Sequence, residues 1–453
     1  MSILNKSTGP RTPRRPQKPS SAQAVQNSAP AHAPISPARA AAFAILDRVA
    51  TTSAHSDDLL HGPGMSALSQ ADRNLATTLV LGVLRWQIAL DARMQPLLQR
   101  PDLALPTPVA TALRMGAFQL QHLDRIPAHA ALSESVELVR AAGHGHASGM
   151  VNAILRKLTR QPAPQPKLYE TTAVFAERLA PPEWLVARWV RHYGRTAALA
   201  LCAYNQQEPH PGTLFPEPDA SQPTLPHLDD GSRLVAELAA AAHPAPRRIW
   251  DCCAAPGGKT LILAHRHPAA ELLATDANPR RLQALATRLQ LAAAPGTLTA
   301  RTLEADATQL PETEGLFDLI LCDVPCSGTG TLGRNPEIKH RLQPSDLARQ
   351  ATRQRQILTT ALTRLAPGGS LLYSTCSLEP EENEHVVAAV LAELPPGNGI
   401  ATTSLEPTLH HLSATEILAS PASPNLIRNG QLRTLPGANF QGDGFFAALF
   451  RRS

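Results

Sequence analysis

From Ala245 onward, short apolar runs alternate with stretches of helical length, and few folds accommodate that pattern. The runs 249–250, 272–274, 319–321 and 370–373 have the character of buried strands. Helices are predicted at 260–265, 279–291, 344–365 and 380–394. Alternation of this kind predicts a parallel sheet covered by helices on both faces, an open doubly wound α/β sheet. The run 444–450 follows without a helix-length gap and suits a final strand. This domain is read as 245–453.

With 453 residues, two or three domains are expected. Residues 37–160 carry apolar positions at helical spacing and no β-rich run: Phe43, Ile45, Leu46 and Val49, then Leu75, Leu79, Val83, Leu84 and Leu90, with further stripes up to Leu158. Ser36-Pro37 and Thr107-Pro108 place a capping residue ahead of Pro. An all-helical bundle is predicted there. Residues 161–244 form a Pro-rich connector with one short helix around 182–193, whose Trp184, Leu185, Trp189 and Val190 are read as packing rather than as a base-stacking surface. Residues 1–36 hold Lys6, Arg11, Arg14, Arg15 and Lys18 among prolines and no acidic residue, so a solvated basic tail is expected, with an RNA-touching arm as the sharper alternative.

The net charge of +5 permits an anionic partner without requiring one. Five of the six cysteines lie between 252 and 376, a clustering that suggests a reducing compartment and chemistry in the C-terminal half rather than a disulfide framework. No unbroken apolar run approaches the ~18 residues of a membrane span, and no secretory signal pattern opens the chain. A soluble cytoplasmic protein without a membrane partner is expected, and no obligate protein partner is evident.

In open sheets of this class ligands bind beyond the carboxyl ends of the strands, at the switch point. After the first strand comes Asp251-Cys252-Cys253-Ala254-Ala255-Pro256-Gly257-Gly258-Lys259-Thr260, whose glycines let backbone approach a ligand. A P-loop is excluded because Cys253 stands where that motif needs Gly, and the three spaced glycines of the dinucleotide fingerprint are absent. Asp276 follows the second strand, where ribose hydroxyls are held, and Asp306 ends the third, where an adenine amine is within reach. Either aspartate alone is as well read as a helix cap; together with the glycine turn they point to nucleoside binding. Asp323-Val324-Pro325-Cys326-Ser327-Gly328-Thr329-Gly330 follows the fourth strand and Ser374-Thr375-Cys376-Ser377 the fifth. If those strands are neighbours, about 4.8 Å apart, both thiols stand over one cleft. Zinc is disfavoured because no Cys-x-x-Cys pair occurs, so no metal is expected.

Three of these segments, Asp-x-Cys-Ala-Ala-Pro-Gly-Gly-Lys, Asp-x-Pro-Cys-Ser-Gly-Thr-Gly and Thr-Cys-Ser-x-x-Pro-Glu-Glu-Asn-Glu, resemble the S-adenosylmethionine-dependent RNA cytosine-5 methyltransferases. Residues 114–120, 126–131 and 151–156 are similar to the NusB-like N-terminal domain of the RsmB (Sun/Fmu) branch. Val324 in place of Ala, Cys252 in place of an apolar residue and a poor match over 395–430 are the departures. The resemblance implies a NusB-like RNA-binding bundle, a connector and a Rossmann-like methyltransferase sheet, with ribosomal RNA as partner and a cytidine of small-subunit (16S) rRNA as target. It implies S-adenosylmethionine held by Cys253, Ala254, Ala255, Pro256, Gly257, Gly258, Lys259, Asp276, Asp306 and Asp323. It gives attack to Cys376, release or proton removal to Cys326 and orientation of the base to Asp323. Spacing alone does not choose between the thiols. A tRNA cytosine-5 methyltransferase and a non-catalytic RNA-binding assembly or antitermination factor are the rival readings.

Overall fold

Nine strands form one sheet in the computed structural model, which describes residues 34–161, 170–209, 212–215, 227–292, 299–415 and 424–453. Most of the predicted basic tail and parts of the connector and of 395–430 lie outside the described residues. The strands are β1 Arg248–Asp251, β2 Glu271–Asp276, β3 Thr299–Glu304, β4 Phe317–Asp323, β5 Leu365–Thr375, β6 Ile400–Thr403, β7 Ile427–Arg428, β8 Gln431–Arg433 and β9 Phe446–Arg452. Their order is β3-β2-β1-β4-β5-β9-β8-β7, with β6 also on β9. The first five run parallel and β9 is antiparallel to β5. The chain moves outward from β1 through β2 to β3, then returns to β4 on the other side of β1. The crevice beyond β1 and β4 is therefore the switch point.

Alternate residues of each strand enter opposite cores, as a two-sided sheet requires. Ile249, Leu272, Leu319, Leu321, Leu372 and Leu449 share one core with Leu238, Leu263 and Leu285. Trp250, Leu273, Ile320, Tyr373 and Phe450 share the other with Leu358 and Val387. Strands β6 to β8 were not anticipated: they are two to four residues long, and β6 is mostly exposed, so no apolar alternation marks it.

The bundle comprises α1 Pro37–Thr51, the short α2 Ser56–Leu60 and α3 Pro63–Ser66, α4 Gln70–Met94, α5 Thr107–His122, α6 Ala128–Ala141 and α7 Ser148–Leu158. Pro37 opens α1 as expected, but the Ser36 hydroxyl donates to Glu134 of α6 (2.7 Å) instead of capping its own helix. Thr107 is the first residue of α5 rather than its cap. By length and composition the helical stretch Gln70–Leu97 is sufficient to cross a membrane, although the sequence shows no unbroken apolar run. Its Leu79, Val80, Val83, Leu84 and Leu90 are instead buried in the bundle core.

The connector is more helical than expected: α8 Thr172–Leu179, α9 Glu183–Tyr204, kinked at Gly194 (φ 82°), and α10 Asp230–Ala241. Trp189 is fully buried and its indole N–H donates to Glu379 (3.2 Å), which confirms packing over base stacking. Arg188 bridges Glu379 and Glu381, so the connector is anchored just past β5. Helix α10 packs Leu234, Val235 and Leu238 into the sheet's own core.

The remaining helices are α11 Gly258–Arg266, α12 Pro279–Ala292, α13 Ile338–Arg341, α14 Pro344–Thr363, α15 Glu384–Glu393 and α16 Glu406–Ala414. The helix α16, with β6 to β8, occupies the stretch before β9 that the sequence reading left without a helix. The helix predicted at 380–394 is broken at Asn383, whose side chain accepts from Thr375 (2.6 Å) and donates to the Ser377 carbonyl (2.9 Å). The loop after β4 continues into α13, and there it meets the bundle. The Arg341 guanidinium donates to the Val49 carbonyl in the last turn of α1, which the helix leaves unpaired, and to the Ala54 carbonyl beyond it (2.7 Å each). Ser56 donates to Glu337 from its amide (3.2 Å) and hydroxyl (2.9 Å), and Arg85 donates to the Gly333 carbonyl (2.9 Å).

Candidate active site

The turn from β1 into α11 lies under the switch-point crevice. Gly257 adopts φ 103°, a conformation L side chains rarely take, and a Cβ there would stand 2.2 Å from Leu285 Cδ1. The turn is tied to β2, because the Ala254 amide donates to the Thr275 carbonyl (2.8 Å) and the Ala255 amide to Asp276 Oδ2 (3.2 Å). Pro256 is exposed, with its carbonyl taken by Arg288 (2.9 Å). Burial pushes the half-buried Cys253 thiol well above its usual range. The first amides of α11 point out of the helix with no intrahelical acceptor, as an anionic group requires.

Asp251 closes the floor of this turn. Thr260 donates to its Oδ2 (2.7 Å), while Oδ1 is buried without a partner. Burial pushes this carboxyl up to about 7. Its contribution to stability is thus fully present below the unfolded value near 3.9 and is lost as pH rises through about 7. In Asp251→Asn, the difference in Tm from the parent should be near zero at about pH 4 and positive at about pH 8. A difference that stays flat across that range rules out a raised carboxyl.

The other predicted carboxylates stand at successive strand ends. Asp276 is half-buried; its Oδ1 accepts from the Asn278 amide (2.8 Å), and each oxygen retains a second lone pair for a hydroxyl. Asp306 is exposed two residues beyond β3, and its Oδ1 accepts from the Thr308 amide and hydroxyl (2.9 Å each). The Thr308 amide holds this carboxyl below its ordinary value. Asp323 ends β4, 2.7 Å from Lys259 Nζ and 2.8 Å from the Ser374 hydroxyl. Burial alone would lower Lys259, but Asp323 outweighs it and the ammonium stays above its usual value. Lys259 therefore joins the β1 turn to the β4 end, a link the sequence reading did not contain.

β4 and β5 are neighbours, with Asp323 opposite Ser374. Their continuations bring Cys326 Sγ within 3.3 Å of Cys376 Sγ, both half-buried. The Cys376 contact and then burial push the Cys326 thiol well up. A second pair, Cys252 and Cys322, meets at 3.2 Å in the buried core. Among the described residues no three His, Cys, Asp or Glu side chains gather as a metal site requires. Residues the sequence reading passed over are Asp251, Ser327, Ser377 and Glu382. The last three carried one signal: each thiol heads a Cys-Ser dipeptide, and Pro-Glu-Glu follows the second.

A family model described as "16S rRNA methyltransferase RsmB/F" matches residues 239–451, and one described as "NusB family" matches 36–160. The molecule is thus a Rossmann-like methyltransferase domain behind a NusB-like helical domain. "Ribosomal RNA small subunit methyltransferase B" of Citrobacter koseri is 31% identical over 423 residues, covering 85% of this chain and 92% of that protein. Its counterpart in Klebsiella pneumoniae is 32% identical over 434 residues, covering 86% and 93%. The crystal structure of PH0851, at 20% identity, superposes with a TM-score of 0.67 over 93% of this chain and all of that one, which shows the shared fold. The chain belongs to the ribosomal RNA small subunit methyltransferase B family, and its reaction is S-adenosylmethionine-dependent methylation of rRNA.

Proposed function

We propose that the protein methylates carbon 5 of a cytidine in 16S rRNA through a covalent adduct on Cys376. The observation that carries this reading is the thiol pair, 3.3 Å apart at the switch point and beside Asp323. Carbon 5 of cytosine is a poor nucleophile. Addition of a thiolate at carbon 6 makes an enamine whose carbon 5 can attack an electrophilic methyl; loss of the carbon-5 proton then expels the thiolate and restores the ring. Cys376 is the attacking group in this scheme, and Cys326 assists proton loss or release. Asp323, paired with Lys259 at 2.7 Å, accepts a hydrogen bond from the cytosine edge. The target base reaches the crevice flipped out or single-stranded.

Bound S-adenosylmethionine supplies the methyl as a sulfonium. The site fits it: a positive-φ glycine turn, open amides at α11 and carboxylates at the ends of β2 and β3. The turn 253–258 would lie along the donor, Asp276 would hold the ribose hydroxyls and Asp306 would face the adenine amine. A charge-assisted bond of this kind is worth roughly 1.5–3 kcal/mol. Asp276→Ala should accordingly weaken S-adenosylmethionine about ten- to a hundredfold in calorimetric titration, with RNA affinity largely kept. Unchanged donor affinity would remove Asp276 from the site.

A substrate in 16S rRNA and six free thiols support a cytoplasmic location for the enzyme. Bisulfite sequencing of rRNA from a strain lacking the gene tests the whole reading: one 16S cytidine should lose its protection. Protection unchanged throughout 16S rRNA, or lost in a tRNA instead, overturns it.

A further inference from the structure

Cys326-Ser327 follows β4 and Cys376-Ser377 follows β5, and one buried carboxylate holds both serines. Glu382 is fully buried. Its Oε1 accepts from the Ser327 amide (2.8 Å) and from Gln354 Nε2 (3.1 Å). Its Oε2 accepts from the Ser327 and Ser377 hydroxyls, which lie 3.0 Å from each other. The Glu382 backbone is fixed in turn, because the Tyr373 hydroxyl on β5 donates to its carbonyl (2.6 Å). Gln354 also donates to the Pro325 carbonyl (2.9 Å), so the residues on both sides of Cys326 are tied to one point.

We infer that Glu382 is a positioning residue that clamps the two Cys-Ser dipeptides together and thereby sets the separation of the Cys326 and Cys376 thiols. This inference rests on the roles proposed above for those thiols. Parallel strands set their own spacing at the sheet, but each dipeptide lies beyond the last ladder pair, Asp323 with Ser374. Past that point the Val324 amide still donates to the Ser374 carbonyl (3.0 Å) and the Gly330 amide to the Cys376 carbonyl (2.9 Å), and side chains join the dipeptides themselves. Ser327 and Ser377 each sit one residue from a thiol, so a shift of either serine moves its cysteine with it. Both carboxylate oxygens are fully engaged, and removing the carboxylate takes an acceptor from two hydroxyls, the Ser327 amide and Gln354 Nε2 in a buried site where Gln354 Oε1 already has no partner.

The two chemistries available at position 382 separate clamping from charge. In Glu382→Gln, the side-chain oxygen still accepts from the Ser327 amide and Gln354, and the new NH₂ donates to serine hydroxyls that rotate to accept. Glu382→Ala has no such recourse. Ser327→Ala with Ser377→Ala removes only the hydroxyl arms and serves if the alanine variant at 382 does not fold. Misplacement on the order of 1 Å costs about a hundredfold in turnover. Glu382→Ala and the double serine variant should therefore lose about that factor in kcat while KM for RNA and the affinity for S-adenosylmethionine stay within about threefold; Glu382→Gln should recover to within about tenfold of the parent.

A second readout needs neither RNA nor donor. Diamide takes two hydrogens from neighbouring thiols and leaves a disulfide, which peptide mapping assigns to Cys326 and Cys376. That bridge should form quickly in the parent and in Glu382→Gln, and at least about tenfold more slowly in Glu382→Ala and in the double serine variant. Bridging at the parental rate in both clamp variants overturns the inference, as does an equal loss of turnover in Glu382→Gln and Glu382→Ala. If the bridging rates follow the expected order but protection of every 16S cytidine is unchanged in the strain lacking the gene, the clamp stands and the proposed reaction falls.

Discussion

Cys326→Ala should accumulate as a slow-migrating, denaturant-resistant complex with its RNA, whereas Cys376→Ala should form no such complex and methylate at background. Attack and release are separate steps, so each thiol leaves its own trace when removed. Without Cys376 no carbon–sulfur bond to the base can form. Without Cys326 the bond forms and the methyl is transferred, but elimination stalls with Cys376 still attached to carbon 6. The double variant should behave as Cys376→Ala does. Denaturing electrophoresis with labelled RNA distinguishes the possibilities. A band in Cys376→Ala alone exchanges the two roles, and activity retained in both variants returns the thiols to packing. The 3.3 Å contact makes either role geometrically available to either sulfur, which is why the experiment is needed.

Gly330→Ala should be the most damaging single methyl in the site. A Cβ at this position would lie 2.2 Å from the Gly444 carbonyl oxygen and 2.9 Å from that of Cys376. Both are backbone atoms of other segments, so no rotamer change relieves the contact. The same glycine donates its N–H to the Cys376 carbonyl (2.9 Å) and accepts from the Gly444 amide (2.8 Å), locking the β4 loop, the β5 loop and the lead into β9 together. Overpacking of this kind costs about 1–3 kcal/mol and should lower Tm by several degrees. Because the displaced segment carries Cys376, turnover should fall about a hundredfold. Gly149→Ala is the control: it lies exposed in α7 with nothing within 4 Å of a Cβ, and it should be neutral or stabilising by up to ~1 kcal/mol. Equal effects at the two positions would refute the steric argument.

The sheet and the bundle were legible because their signals are local. Short apolar runs between stretches of helical length placed β1, β2, β4 and β5, and helical spacing placed the bundle. The strand-end segments announced a crevice before any neighbour was known, since in this class of sheet the residue after a strand already lies at the ligand's side. Capping went differently at Ser36: a serine before Pro reads as a cap, but its oxygen accepts from the Arg39 guanidinium (3.0 Å) while its hydroxyl donates to Glu134 on α6. Asn383 likewise broke a helix that its own neighbourhood supported, because Thr375 and Ser377 from the preceding strand and turn took its side chain.

Sequence by itself determined the two kinds of domain, the glycine turn, the carboxylates at the strand ends and the two thiols, all of which follow from residue types within a few positions of one another. Only the tertiary structure decided that Lys259 meets Asp323, that Glu382 holds both serines, that Arg341 reaches the end of α1 and that the thiols stand 3.3 Å apart. Such pairs join residues far apart in the chain, and their energies depend on burial and on how fully the surrounding network is satisfied. A carboxylate in the sequence carries no mark of the lysine or the serine it will meet; the packing of β4 beside β1 and β5 supplies it.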